Sequence, residues 1–382
     1  MSGAENERGV GESEETLTRD EFEDALTGAA GSSLAPEMKG QVSSDAGSRS
    51  DHGDSSSFPK IDGYWIEGLL GHGGMAEVHK AQRMGSAGVP VPCVIKTILS
   101  DKVDHPQFQK KFLDEARIHA KMQHPNLVQV LDVGRIDGRL FLVMEWIDGM
   151  DAADLLRAAQ ARRIEVPVRH VLFILKQVLQ ALHHTHTHGG HGFVHRDISP
   201  GNILISRQGA VKLADFGVAR SADSLSRDPA RSLAGKLHYF APELVTGEAP
   251  ASVQSDIFAL GVTFWELLTC RPLFSREKKW KDLRAEIRDF DPRDLLEKEL
   301  TLPEPIEEIV LRCLANRPRD RYKSALEFLE DVNDFAYEAG LRLLDAHFAD
   351  YVRRTLDYRE SGGGKTLRQR LAEEKSTFGG GA

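Results

Sequence analysis

Short apolar segments separated by glycine-containing turns begin near Ile61 and predict β-strands. They suit an antiparallel sheet, with strands at Tyr64 to Leu70, Ala76 to Ala81, Pro92 to Ile98, Val128 to Val133 and Leu140 to Glu145. One helix interrupts them, because apolar positions recur every three or four residues between Pro106 and Met122. The first part of the chain is therefore predicted to be a sheet with one helix.

Beyond Gly149 the apolar positions follow the helical period almost throughout. The predicted helices are Asp151 to Gln160, Val168 to His186, Val253 to Thr269, Trp280 to Arg288, Ile306 to Leu314 and Ser324 to Ala339. A β-rich part followed by an α-rich part indicates an α+β protein of two unlike lobes, at residues 61–147 and 148–335.

An amphipathic stretch from Leu341 to Leu356 predicts a helical extension over residues 336–360. We expect this extension to pack on the large lobe, with packing on another protein as the alternative. Glycines at 362–364 then predict a flexible tail over residues 361–382.

Composition places the chain among soluble globular proteins. Of its 382 residues, 41% are hydrophobic and 28% are charged, and no apolar run reaches the ~18 residues of a membrane span. No secretory signal is predicted at the acidic amino terminus, so a cytoplasmic location without membrane contact is expected. Cys93, Cys270 and Cys313 lie far apart in apolar surroundings, which favours neither disulfides nor a cysteine metal site.

The acidic charge of the chain is confined to residues 1–57. They include 13 acidic and 4 basic residues, an excess equal to the net charge of −9 of the whole chain. Rich in glycine, serine and acids, this segment is predicted to be a disordered tail. The remaining residues have no excess of positive charge, so a nucleic-acid partner is not expected.

A glycine-rich turn lies between the first two predicted strands, before Val78. Gly71, Gly73 and Gly74 let backbone amides approach a phosphate chain, which larger side chains would prevent. Taken alone the turn is a weak signal, because glycine-rich hairpins are common. An ordinary hairpin is the alternative at this point.

Lys96 lies near the end of an apolar strand, and Glu115 lies in the helix that follows. This arrangement predicts an ion clamp, in which Lys96 binds nucleotide phosphates and Glu115 orients it. A lysine on the surface is the alternative.

Polar groups suited to phosphoryl transfer come later, in the loop from His195 to Asn202 and in Asp215-Phe216-Gly217. Asp197 in this loop is a carboxylate that can accept a hydroxyl proton. Asn202 and Asp215 offer oxygens to hard magnesium ions, as phosphoryl transfer requires.

In this order the motifs resemble those of the bacterial eukaryotic-like serine/threonine protein kinases, from about residue 61 to about residue 335. The set is specific and includes the glycine turn, Lys96, Glu115, Asp197 with Asn202, Asp215-Phe216-Gly217, Ala241-Pro242-Glu243, and Asp256 with Gly261. The resemblance implies the bilobal protein kinase fold over residues 58–335, with a small β-rich N-lobe, one key helix and a larger helical C-lobe.

The resemblance also implies a role for each matching residue. Asp197 would be the catalytic base, Asn202 and Asp215 the magnesium ligands, and Lys96 the contact of the α- and β-phosphates. ATP is the implied cofactor together with Mg²⁺, for which Mn²⁺ is an alternative. Proteins are the implied substrates, and no oligomeric state is indicated.

Further residues would bind the nucleoside. In the family, the backbone of the segment matching Glu145-Trp146-Ile147 binds adenine, Met144 would lie behind the pocket, and Asp151 would face the ribose. The residues that would enclose the adenine ring are apolar, with a plain core role as the alternative: Leu70, Val78, Val94 and Leu204. Glu243 and Arg321 would form a buried ion pair in the helical lobe.

Ala76 stands where the family has the third glycine of the turn, which is a small loss, and two further positions depart from the family pattern. Ser199 stands where these kinases have a lysine that neutralises the γ-phosphate, and Lys236 stands where they have a threonine that contacts the catalytic Asp. Because the two positions face each other in the family, we expect Lys236 to supply the missing cation. The alternative is that Lys236 points to solvent and the enzyme is slow or inactive.

Arg196 beside Asp197 suggests regulation by phosphorylation, because a buried arginine at this place awaits an anionic partner. Ser232 is the favoured acceptor, with other serines at 221, 224 and 226. The five histidines between His183 and His191 invite a zinc interpretation, but they lack ligand spacing, so a helix end is favoured.

Three function classes fit these residues: an active protein kinase, a pseudokinase scaffold and a small-molecule phosphotransferase. The first is favoured because Lys96, Asp197 and Asp215 are all retained. Ala241-Pro242-Glu243 favours a protein substrate over a small molecule.

Overall fold

The computed structural model describes residues 61, 63–72, 76–85, 87–98, 106–136, 139–190, 192–215, 237–295 and 302–361. All of them belong to one compact unit of the chain. The predictions for the segment 1–57 and for residues beyond 361 fall outside these ranges.

A five-stranded antiparallel sheet with one helix forms the amino-terminal lobe, in the order β1, β2, β3, β5, β4. The strands are β1 (Tyr64–His72), β2 (Ala76–Met84), β3 (Pro90–Ile98), β4 (Val130–Ile136) and β5 (Arg139–Glu145). Helix α1 (Pro106–Lys121) packs Phe112 and Ala116 against apolar side chains of the sheet, among them Ile98 and Leu142. This lobe matches the sheet and helix that the apolar pattern predicts.

A second, smaller sheet follows the first and was not predicted. It has the order β6 (Gly149–Asp151), β7 (Ile203–Ser206), β8 (Val211–Leu213). Strands of three or four residues are too short to leave a period in the sequence. The register pairs Asp151 with Leu204, so a residue expected at the ribose lies opposite one expected at adenine.

Helices make up most of the carboxyl-terminal lobe. They are α2 (Ala152–Arg162), α3 (Val168–Thr187), α4 (Pro242–Thr246), α5 (Val253–Thr269), α6 (Trp280–Arg288), α7 (Glu304–Cys313), α8 (Ala325–Glu338) and α9 (Asp345–Glu360). The predicted bounds of α5 and α6 are confirmed residue for residue. The bounds of most other helices differ from the prediction by one or two residues, whereas α9 is shifted by about one turn.

Helix α5 is the centre of this lobe, because every residue from Ser255 to Thr269 is buried. A capping box starts it, with Ser252 accepting the N–H of Ser255 while Ser255 accepts the N–H of Ser252. At Gly261 any Cβ would lie 2.7 Å from the Sγ of Cys313, so only glycine permits the close approach of α7.

The predicted buried ion pair in this lobe is confirmed. Arg321 donates from two nitrogens to the two carboxylate oxygens of Glu243, both at 2.8 Å, and both side chains are buried. Further donation to the carbonyls of Ala315, Asn316 and Gln254 satisfies the guanidinium. The pair fixes α4, which begins in Ala241-Pro242-Glu243, to the loop before α8.

Helix α9 packs on the large lobe as expected, with Phe348, Val352 and Leu356 in its core. Among the described residues, no helix combines the length and the apolar character needed to cross a membrane.

Candidate active site

The catalytic loop is bound through its backbone to Asp256 on α5. One oxygen of this carboxylate accepts the N–H of His195 at 2.6 Å, and the other accepts the N–H of Arg196 at 2.8 Å. Arg196 has a φ of 67°, which is unfavourable for a residue with a side chain. The two hydrogen bonds to a buried charge stabilise this backbone conformation.

His186 gives Asp256 a third contact that sequence reasoning missed. Its Nε2 lies 2.9 Å from Oδ2 of Asp256, and both side chains are almost fully buried. One histidine in a run of five has no distinguishing pattern, so only the fold identifies it. Within the described part of the chain, no cluster of three or more His, Cys, Asp or Glu is arranged for a metal.

The loop places Asp197 and Asn202 together. Nδ2 of Asn202 donates to the carbonyl of Asp197 at 2.6 Å, and the carbonyl of Asn202 accepts the N–H of Ala214 at 2.8 Å. Both side chains are largely buried, with 9% and 6% of the residue surface exposed. These bonds connect the catalytic loop to the residue before Asp215.

Lys96 and Asp215 meet across the cleft between the lobes. Nζ of Lys96 lies 2.7 Å from Oδ1 of Asp215, and both side chains are partly exposed. Asp215 has a φ of 57°, a second unfavourable backbone value next to the loop. Glu115 lies on α1, but its side chain is outside the described part, so its pairing with Lys96 stays a prediction.

Two of the four residues expected to enclose the adenine ring, Val94 and Leu204, lie in one apolar cluster. Met144 belongs to the cluster that lines the N-lobe core, and the partly buried side chains packed on it include Val94, Ile147 and Leu204. The cluster also contains Ala214, which joins it to the catalytic loop. Apolar side chains from both lobes are thus brought together at one place, as a flat aromatic base requires.

The glycine turn is described only at its ends. Val78 pairs with Lys96 across β2 and β3, and with Gly71 across β1 and β2. Leu70 is 49% exposed at this edge. Gly73 and Gly74 lie outside the described residues, so their role stays a prediction.

Glu145 has a structural role that the sequence does not reveal. Its carboxylate accepts the N–H of Gln129 at 2.8 Å and lies 2.7 Å from Nζ of Lys212, while its own N–H donates to the carbonyl of Gln129. These contacts join β5 to β8 and stabilise the segment between the lobes. The expected backbone contact to adenine stays a prediction.

Asp151 caps helix α2. Its Oδ1 accepts the N–H of Asp154 at 2.6 Å, and an acceptor at this position satisfies one of the free N–H groups of the first turn. Burial raises the pKa of the Asp151 carboxyl above its usual range, and this hydrogen bond opposes the effect. A cap of this kind keeps the carboxylate in place, and the ribose contact of Asp151 stays a prediction.

Lys236 and the serines expected to be phosphorylated lie outside the described residues, as do Phe216 and Gly217. The expected exchange of function between Ser199 and Lys236 is therefore untested. Ser199 itself is buried, with an extended backbone.

The sequence matches the family described as the protein kinase domain over residues 64–332. This chain belongs to the protein kinase family, in its bacterial eukaryotic-like group. The fold class predicted from the sequence is confirmed by this match and by solved kinase domains. One of them, the PknI kinase domain of Mycobacterium tuberculosis, has a TM-score of 0.53 and is 27% identical in sequence. The alignment covers 73% of this chain and 97% of the PknI chain.

The names of the curated relatives indicate two kinds of kinase, one specific for tyrosine and the other for serine and threonine. The tyrosine-protein kinase MasK of Myxococcus xanthus is 37% identical over 72% of this chain and 43% of its own length. The serine/threonine-protein kinases PknB of Mycobacterium leprae and PrkC of Bacillus subtilis are both 32% identical, over 71% and 70% of this chain. The chain spans less than half of the length of these relatives.

Asp256→Asn is expected to loosen the catalytic loop, because an amide offers one acceptor and one donor in place of two acceptors. Hydrogen exchange at the N–H groups of His195 and Arg196 should become about tenfold faster or more. Mass spectrometry or NMR can measure it. Glu266→Gln, a change of another buried acid on α5, is the matched control and should leave these amides unchanged. Equal exchange rates in Asp256→Asn and wild type would contradict the anchoring role.

Proposed function

We propose that this chain is an ATP-dependent protein kinase that transfers the γ-phosphate of Mg-ATP to serine or threonine hydroxyls, including its own. The observation that carries the proposal is the meeting of Lys96 with Asp215 beside a loop in which Asn202 is bonded to Asp197. Positioning and charge stabilisation supply most of the catalysis in phosphoryl transfer.

Asp197 is the proposed acceptor of the hydroxyl proton. The hydrogen bond from Asn202 fixes its carbonyl, and the adjacent bonds to Asp256 fix the backbone before it, so the backbone that carries its carboxylate keeps one position. A base fixed in position needs no reorganisation when the substrate hydroxyl arrives.

Asn202 and Asp215 fit a hard divalent cation. Nδ2 of Asn202 is committed to Asp197, so Oδ1 is the atom that this residue can offer, and the Asp215 carboxylate is 28% exposed. A magnesium or manganese ion would neutralise charge on the phosphates. Lys96 would bind the phosphates from the other side of the cleft.

Two alternatives are less well supported. A pseudokinase would be expected to lose Lys96, Asp197 or Asp215, and the chain retains all three. A small-molecule phosphotransferase would not need Ala241-Pro242-Glu243, which is fixed by the buried pair of Glu243 with Arg321.

The substrate specificity, the domain boundaries and the cellular location of the kinase are also part of the proposal. Serine and threonine are favoured by the names of PknB and PrkC, and tyrosine by the name of MasK. The proposed domain is residues 58–335, divided at 147–148, with tails at 1–57 and 361–382. A cytoplasmic location would supply its ATP.

Asp197→Asn is expected to lower phosphoryl transfer by about 10²-fold or more, because the amide cannot accept the hydroxyl proton. The measurement is incubation with γ-labelled Mg-ATP followed by phosphoamino-acid analysis, which should find serine and threonine labelled in the wild type. Asp282→Asn, at an exposed acid on α6, is the matched control and should keep full activity. Equal labelling of wild type and Asp197→Asn would refute the mechanism, and label on tyrosine alone would refute the specificity.

Lys236→Ala is expected to lower kcat by about 10³-fold if Lys236 supplies the cation absent at Ser199. The double variant Lys236→Ala with Ser199→Lys should recover part of the rate, because the charge returns from the other position. Lys281→Ala, at an exposed lysine on α6, is the control. Unchanged turnover in Lys236→Ala would contradict the proposal that Lys236 supplies the cation absent at Ser199.

A further inference from the structure

Helix α9 lies beyond the region that matches the kinase family, which ends at residue 332. It is nevertheless anchored by aromatic packing on α3. Phe348 is fully buried, with its ring 4.8 Å from that of Phe173, and Tyr351 stacks on His170 at 4.5 Å. Burial lowers the pKa of His170 to about 4, so its ring is neutral when it makes this contact near pH 7.

The turn between β7 and β8 fits closely against the same helix. At Gly209 a Cβ would lie 2.9 Å from the backbone nitrogen of Ala349, and its φ of 85° also favours glycine. Helix α9 therefore contacts the strand pair that carries Leu204 as well as α3.

Charged side chains join the last turn of α9 to the segment between the lobes. Arg207 in the turn after β7 forms an ion pair with Glu360 and lies 3.4 Å from a carboxylate oxygen of Asp148. The N–H of Arg207 also donates to the carbonyl of Asp148 at 2.8 Å. Asp148 directly follows Ile147, which packs on the apolar cluster that contains Met144, so this network reaches the proposed nucleotide cleft.

A second ion pair reaches α2. Nη1 of Arg359 lies 2.6 Å from Oδ2 of Asp154, and the N–H of Asp154 is the group that Asp151 caps. Arg157 also pairs with Asp154, but Arg157 is on α2 itself and moves with it. Of these two arginines, only Arg359 can fix the first turn of α2 relative to the rest of the lobe.

We propose that Arg359 is a positioning residue for the nucleotide, which acts by binding Asp154 and so fixing Asp151 at the ribose side of the cleft. The inference rests on the proposed function, because it assumes that Asp151 faces bound nucleotide. Helix α9 thereby contributes to the nucleotide site through its contact with α2.

The test compares nucleotide binding and turnover in Arg359→Gln and wild type, both as full chains. The probe for binding is a fluorescent ADP analogue with Mg²⁺. Loss of a partly exposed ion pair should raise its Kd, and the KM for ATP, about two- to fivefold, while kcat stays nearly constant. A purely structural role would lower the amount of active protein, and hence apparent kcat, without changing Kd or KM.

Arg353→Gln is the matched control, because Arg353 pairs within α9 with Asp350 and should leave Kd unchanged. Arg359→Lys keeps the charge and should recover much of the affinity. In a double-mutant cycle, Arg359→Gln should have little further effect once Asp154→Asn is present.

An unchanged Kd in Arg359→Gln, an equal effect in Arg353→Gln, or additive effects in the cycle would overturn the inference. If Arg359→Gln proves unstable on thermal unfolding, Asp154→Asn removes the same ion pair from α2, and an unchanged Kd in that variant would overturn the inference. A wild type that binds the ADP analogue but transfers no phosphate would contradict the proposed function and leave the positioning role supported by binding alone. A wild type that binds no nucleotide would overturn both.

Discussion

The buried carboxylate of Asp256 connects helix α5, whose residues from Ser255 to Thr269 are all buried, to the backbone of the catalytic loop. A charge at 1% exposure is costly unless donors surround it, and two loop N–H groups with the His186 ring meet this need. The same bonds stabilise the positive φ of Arg196, which turns the chain so that Asp197 follows. From there hydrogen bonds through Asn202 lead to Ala214, and the neighbouring Asp215 reaches Lys96 in the other lobe. The cleft therefore depends on an interaction made outside it.

Elements with a long period or a complete motif could be predicted from the sequence. The apolar positions of helix α5 follow the helical period from Val253 to Thr269, so its bounds could be predicted. The strands β6 to β8 were missed because three or four residues carry no period. His186, Lys212 and Gln129 were missed because each acts through a partner far away in sequence, and no local pattern marks such a pair. Asp151 was expected at the ribose, whereas its role as a helix cap emerged only from the fold.

The carboxyl-terminal helix α9 illustrates how packing and charge divide their roles. Burial of Phe348, Val352 and Leu356 supplies the attraction, since apolar burial contributes far more than partly exposed ion pairs. The ion pairs instead specify neighbours of the helix, because Arg359 pairs with Asp154 of α2 and Glu360 pairs with Arg207. Arg207 in turn contacts Asp148, which follows Ile147. An amphipathic pattern predicts that such a helix packs, but it cannot indicate where.

Anomalous diffraction from crystals grown with Mn²⁺ and a non-hydrolysable ATP analogue can show whether the anchored loop forms a metal and nucleotide site. We expect manganese bound to Oδ1 of Asn202 and to the Asp215 carboxylate, with the adenine between Val94 and Leu204 and the γ-phosphate facing Asp197. Manganese bound elsewhere while these oxygens have no metal, or a nucleotide outside the cleft, would contradict it.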